Sequence, residues 1–175
     1  GPVFTANSAH LALEQRRLAD RFYPITAADD WPDFASGVPD GVTLFCGPEM
    51  AARALALARV RGLDEAAFER LRQLAGYYAV PLVIEADGSR GLALKAPAEH
   101  EPPIPQFVDA VVVCAGVSML GHPLDEAHVF RAEIFSQIGG LEMGQPVDET
   151  ALARVMCAPL GGLKNIPPGA RRIAL

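Results

Sequence analysis

The sequence predicts an α/β fold, a mostly parallel sheet flanked by helices, organised as a single domain over residues 1–175. Three observations predict it. Short apolar, β-branched runs alternate with alanine- and leucine-rich helical stretches, which is the rhythm of βαβ units. With 50% hydrophobic and 21% charged residues, a chain of 175 residues can bury a sizeable core. Leu82-Val83-Ile84, bounded by Pro81, has the continuous apolar character of a parallel strand buried on both faces.

The elements follow in order. Strands are expected at Val3 to Thr5, Val42 to Cys46, Leu82 to Ala86, Ala110 to Ala115 and Arg172 to Leu175. Ala9 to Phe22 reads as a helix whose charged face carries Glu14, Arg16, Arg17 and Asp20. Ala28 to Asp40 is a loop-rich connection in which Trp31 is a packing anchor. Glu49 to Arg61 starts after Gly47-Pro48 and stops at Gly62, a proline-in, glycine-out helix signature. Asp64 caps a helix over Glu65 to Tyr78, where Ala67, Phe68, Leu71, Leu74, Ala75 and Tyr78 recur at helical spacing. Asp125 caps another over Glu126 to Ile138, ended by Gly139-Gly140. Val147-Asp148 opens the last, which runs to Cys157 before Pro159.

Composition narrows the function classes. A net charge of −6, with no basic stripe interleaved by aromatics, argues against a nucleic-acid partner. The best apolar run, Val108 to Leu120, is cut by Asp109 and Gly116, so no membrane span is expected. No signal-peptide order opens the chain, and a cytoplasmic location is the expectation. Cys46, Cys114 and Cys157 lie far apart, without the spacing of a disulfide framework or a zinc site; Cys46 and Cys114 are expected to be small buried hydrophobes. Gly1-Pro2 at one end and a strand at the other read as a fragment of a longer protein.

The chemistry concentrates after the third expected strand, where Glu85-Ala86-Asp87-Gly88-Ser89-Arg90-Gly91 leads through Lys95 to Glu99-His100-Glu101 and a proline cluster. Open α/β sheets bind ligands outside the carboxyl ends of their strands. Glu85 and Asp87 are two apart on an apolar strand, as in the strand-end acid of nucleoside triphosphatases, and are candidate contacts for a magnesium ion or its water. Asp87 as an Asx-turn residue is the structural alternative. Ser89, Arg90 and Lys95 are candidates for an anionic ligand, Lys95 being otherwise a solvated lysine. Glu99, His100 and Glu101 could supply metal ligands or a general base, against simple surface placement beside the prolines, which is favoured for both glutamates; Glu99 and His100 are the candidates for ligand contact, with His100 as the proton-transfer group. His10, after the first strand, is expected on the same rim; Arg131 and Glu133, after the fourth, read as solvated, the alternative being a helix that points its first turn, and Arg131 with it, toward the same cleft. His122 and His128 are six apart, off the spacing that puts two ligands on one helix face. No G-x-x-x-x-G-K-S/T phosphate loop is present, so these residues alone do not make a nucleoside triphosphatase.

Glu85-Ala86-Asp87-Gly88-Ser89-Arg90-Gly91, Leu94-Lys95-Ala96-Pro97-Ala98-Glu99-His100-Glu101-Pro102 and Ile104-Pro105 resemble the signature of the YqeC family of selenium-dependent hydroxylase accessory proteins. The likeness continues through Gly121, Pro123-Leu124-Asp125, Arg131-Ala132-Glu133-Ile134-Phe135, Gly162-Leu163-Lys164 and Pro168-Gly169-Ala170-Arg171; upstream of about Val80 it is loose. The resemblance implies a P-loop NTPase-like fold that lacks its P-loop in this chain. It also implies a nucleoside triphosphate with Mg2+ as cofactors, and a molybdenum hydroxylase or its cofactor as partner. The sequence departs from the family's pattern in four places. The phosphate loop and an N-K-A-D-like motif are missing, a threonine run is reduced to Thr5-Ala6-Asn7-Ser8-Ala9-His10, and a histidine expected before Arg131 is Phe130. The function expected is that of a nucleotide- or anion-binding maturation factor. A small-molecule phosphotransferase and a non-catalytic carrier of a metal or cofactor are the alternatives.

Overall fold

A computed structural model describes residues 1–50 and 58–175. The architecture is α/β, mainly parallel, with flanking helices. By contacts the chain divides into two compact units, Gly1–Gly88 and Ser89–Leu175.

In the first unit β1 (Pro2–Asn7) has partners on both sides, because its alternating side chains place Phe4 and Ala6 in the core. With β3 (Arg21–Pro24), β4 (Gly41–Cys46) and β6 (Leu82–Glu85) it forms an all-parallel sheet in the order β3-β4-β1-β6. Phe4 and Phe45 are fully buried and meet edge to face at 5.3 Å; Tyr23 and Trp31 stack on Phe45 at 5.7 and 5.6 Å. Trp31 is thus the packing anchor expected of it. A short antiparallel pair joins β2 (Leu11–Ala12) to β5 (Arg59–Val60). Helix α1 (Glu65–Tyr78) begins where expected: the Asp64 carboxylate accepts from the Ala67 N–H at 2.8 Å, and Phe68, Leu71 and Ala75 form its buried stripe.

The second unit holds two parallel pairs, β7 (Leu94–Lys95) with β9 (Val129–Phe130), and β8 (Ala110–Val113) with β10 (Arg171–Ala174). Helices α2 (Ala132–Gly139) and α3 (Glu149–Cys157) close over a core centred on Phe135, Leu124 and Val129, all without exposed surface. Asp148 caps α3 through the Ala151 N–H at 2.7 Å. Gly139 lets the two helices approach: a Cβ there would lie 3.3 Å from Val155 and 3.4 Å from Ala151.

Several expectations are corrected. Ala9 to Phe22 is not an α-helix. It contains β2, a 3-10 turn over Leu13–Leu18 that buries nothing, and the start of β3. Asp20 explains the switch, since its N–H donates to the Val42 carbonyl and its carboxylate accepts from the Val42 N–H, tying the segment to β4. Strand pairing outweighs a helical preference that had only a thin apolar face to bury. Of the helix expected over Glu49 to Arg61, residues 51–57 lie outside the described residues, and Arg59–Val60 is a strand. β6 is parallel but not buried on both faces: it pairs with β1 at the edge of its sheet, and Val83 is 59% exposed. The helix expected from Glu126 begins only at Ala132, because the Asp125 carboxylate accepts from the Ala127 and His128 N–H groups in a turn, and Val129–Phe130 then pairs with β7. Cys46 is buried, with its thiol pushed up to about 12 by burial and by the Glu49 charge, whereas Cys114 is exposed.

Candidate anion-binding site

The two-residue β7–β9 ladder sets Leu94 beside Val129 and Lys95 beside Phe130. Alternation does the rest: Leu94 and Val129 enter the core, and their neighbours project from the opposite side. The Lys95 side chain nevertheless keeps only 9% of its surface exposed, so it is not a solvated lysine. Arg131 follows Phe130 at the N-cap of α2 with φ +62°, a left-handed conformation that arginine adopts at a cost of roughly 1–3 kcal/mol. Arg90 sits at φ +57° and Gly91 at +83°, and the Leu92 N–H donates to the Ser89 carbonyl at 3.1 Å, as in a type I′ turn.

These three cations surround one ring. The Arg131 and Arg90 guanidinium carbons lie 4.4 and 4.6 Å from the Phe130 centroid, and the Lys95 ammonium lies 5.3 Å from it. Glu101 is the counter-charge. Its Oε2 accepts from Lys95 Nζ at 2.7 Å and from Arg131 Nη1 at 2.5 Å, and its Oε1 accepts from Arg131 Nη2 at 2.8 Å. Burial alone would raise this carboxyl, but the bonds from Arg131 and Lys95 outweigh it and hold the group down at about 2. Arg131 Nη1 also donates to the Ala96 carbonyl at 3.4 Å. The loop carrying Glu101 is pinned from the far end of the unit. Lys164 Nζ donates to the Ala98 carbonyl and, at 2.8 Å, to the Glu99 carbonyl, while Asn165 donates to the Pro102 carbonyl at 3.0 Å.

The sequence candidates fall in both units. Arg90, Lys95 and Arg131 come together on Phe130, and Ser89 closes the turn beneath Arg90 through its carbonyl. His100 is 80% exposed, with Nε2 3.8 Å from Glu101 Oε1; Glu99 is exposed and contributes its carbonyl to Lys164. Glu85, Asp87 and His10 belong to the first unit. There the loop after β1 and the end of β6 do meet at the sheet's carboxyl edge, with the Ser8 N–H donating to the Glu85 carbonyl at 2.9 Å. Asn7 acts as a buried strut, donating to the Ala9 and Arg61 carbonyls at 2.6 and 3.1 Å. His10 is exposed. The Glu85 carboxyl is raised, first because its atoms are partly screened from water although the residue counts as exposed, and then by the charge of Asp87. Among the described residues, no group of three or more His, Cys, Asp or Glu side chains is arranged to hold a metal.

Sequence reasoning favoured the surface for Glu101 and gave Phe130 and Lys164 no part in a site. Glu101 was expected at the surface; its side chain is 17% exposed and doubly paired. The available signal was the pair of two-residue alternations, Leu94-Lys95 and Val129-Phe130, in which an apolar residue precedes a residue of the cluster.

No helix among the described residues is long and apolar enough to cross a membrane. No solved structure matches the chain. A protein of Escherichia coli (strain K12), described as uncharacterized protein YqeC, is 40% identical over 92 residues, which is 53% of this chain and 36% of that protein. The chain thus matches about a third of its relative's length. The model of the YqeC protein family matches residues 3–133, extending the motif-bearing likeness back to residue 3 of the first unit. That match covers well over half of the sequence, and the chain belongs to the YqeC family.

Proposed function

We propose that this protein is an accessory factor in the maturation of a molybdenum hydroxylase, selenium-dependent in kind, or of its cofactor, and that its second unit binds an anionic ligand through Arg90, Lys95 and Arg131. The observation that carries the anion site is the convergence of three cations on the Phe130 ring, two of which share the Glu101 carboxylate. Like charges so close repel unless a counter-ion compensates them, and the two strained arginine backbones are the kind of outlier found where a site is held in place. Family membership supports the accessory role. A P-loop-like, nucleotide-binding character belongs to the same proposal, supported by the parallel sheet of the first unit. Glu85 and Asp87 would hold Mg2+ there, where the cation would supply charge neutralisation. Within the second unit the residues bind and orient: the Arg131 fork fixes an oxyanion plane, Lys95 adds a point charge, and His100 stands at the exposed rim for proton transfer. A cytoplasmic setting is part of the reading.

Calorimetric titration of ATP, ADP and molybdopterin-type ligands with Mg2+ tests it. Lys95→Ala and Arg131→Ala are each expected to weaken the ligand that binds by about tenfold or more, the scale of one charge-assisted hydrogen bond. Asp87→Asn is expected to weaken the binding of Mg2+ alone, read in a separate titration of the cation. Anion affinities unchanged by Lys95→Ala and Arg131→Ala would place the ligand elsewhere, and Mg2+ binding unchanged by Asp87→Asn would remove the cation from Asp87.

A further inference from the structure

Glu101 occupies the cation cluster as a bound oxyanion would. One oxygen is shared between Lys95 and Arg131, and the second completes a bidentate pair with the Arg131 fork. Unlike the residues it pairs with, it is carried on a loop. The Glu101 N–H donates to the Ala98 carbonyl at 3.0 Å in a turn between β7 and β8, and Pro102 and Pro103 follow. Its side chain keeps a path to water, so swinging out rehydrates the carboxylate rather than stranding a buried charge. Arg90 lies over the same ring, so its guanidinium borders the position that the Glu101 carboxylate fills. The neighbouring Glu126 is already engaged, accepting from the Ala132 N–H at the start of α2 at 2.8 Å.

On the anion-site reading of Arg90, Lys95 and Arg131, we propose that Glu101 is an internal occupant of the anion position, and that the ligand is a multiply charged oxyanion of the phosphate or pyrophosphate class that displaces it. A monocarboxylate would exchange like for like with Glu101 and gain nothing. A dianion or trianion gains, because it meets the same fork with more charge and adds oxygens for Arg90. Glu101 therefore sets specificity by charge: weak anions fail to open the site, and the apparent affinity of the ligand is reduced by the fraction of molecules in which the carboxylate has left.

The experiment is calorimetric titration of inorganic pyrophosphate, and separately of acetate, into the full chain at constant ionic strength, comparing wild type with Glu101→Gln, Lys95→Ala and Arg131→Ala. Glu101→Gln is expected to bind pyrophosphate about tenfold tighter than wild type, the gain from abolishing a largely closed state. Acetate is expected to bind measurably only to Glu101→Gln. Equal or weaker pyrophosphate binding by Glu101→Gln, with Lys95→Ala and Arg131→Ala still weakened, overturns the displacement and leaves the anion site standing. Pyrophosphate affinity identical in all four proteins overturns the site itself. A wild-type readout guards against a misfolded variant: the Glu101 carboxyl carbon, followed by NMR, should titrate well below ordinary glutamates in the free protein and return toward their range at saturating pyrophosphate. A titration that stays low under saturation rejects displacement.

Discussion

At the scale of single residues, the cluster couples charge to stability. Burial opposes the ionisation of Glu101, yet Arg131 and Lys95 hold the carboxyl at about 2, below its ordinary 4.5. A group whose folded value is depressed contributes stability that is complete above the unfolded value and disappears as pH falls through the folded one. The window is therefore from about pH 4.5 down to about pH 2. Urea unfolding at stepped pH should show the wild type losing stability across that window, while Glu101→Gln, with nothing to titrate at this position, loses less. Parallel profiles for the two proteins would mean that the carboxylate is not held by its partners in solution. The same residue shows where single-sequence reading stops. Glu101 lies among Glu99, His100 and three prolines, and nothing in that run distinguishes the carboxylate that turns inward from the one that turns outward. The distinction comes from Arg131, thirty residues away, which reaches Glu101 only once β9 has paired with β7.

The elements that present the cluster are short, and their local chemistry is unusual. The turn Ser89 to Leu92 carries arginine at a positive φ where glycine, asparagine or aspartate is the ordinary choice. Arg90→Gly should relieve that conformation and raise stability by about 0.5–1 kcal/mol, measured by chemical denaturation. It should at the same time lower pyrophosphate affinity by removing one of the three cations. A variant that is both no more stable and no weaker in binding would show that the turn is neither strained nor part of the site. Helix α1 was legible to the residue because an aspartate cap and a long apolar stripe agree. α2 was not, because Asp125 followed by Glu126 mimics a helix start while its carboxylate closes a tighter turn instead. Two-residue strands such as β7 and β9 leave almost no periodic signal, although they position Lys95 and Phe130.

For the whole molecule, each compact unit has its own buried cluster, and Phe135 sits without exposed surface in that of the second. Phe135→Ala should cost about 3–5 kcal/mol. Native-state hydrogen exchange should then show lost protection at the amides of α2 and α3, and pyrophosphate affinity should fall because Arg131 opens the first of these helices. Retained protection there would mean that the core is built differently. The α/β class, five of the six described strands of four or more residues, the capped helices α1 and α3, and three of the residues that gather on Phe130 were legible in the sequence, because hydrophobic period, caps and chemical type are local properties. Only the tertiary structure decided that the segment after β1 pairs instead of coiling, that β6 is an edge, that Glu85 and Asp87 belong to one unit while Arg90 and Lys95 belong to the next, and that Glu101 fills the cation cluster. Those outcomes depend on partners distant in sequence, and the energy of a parallel pairing or a shared carboxylate exists only after the chain has brought both sides together.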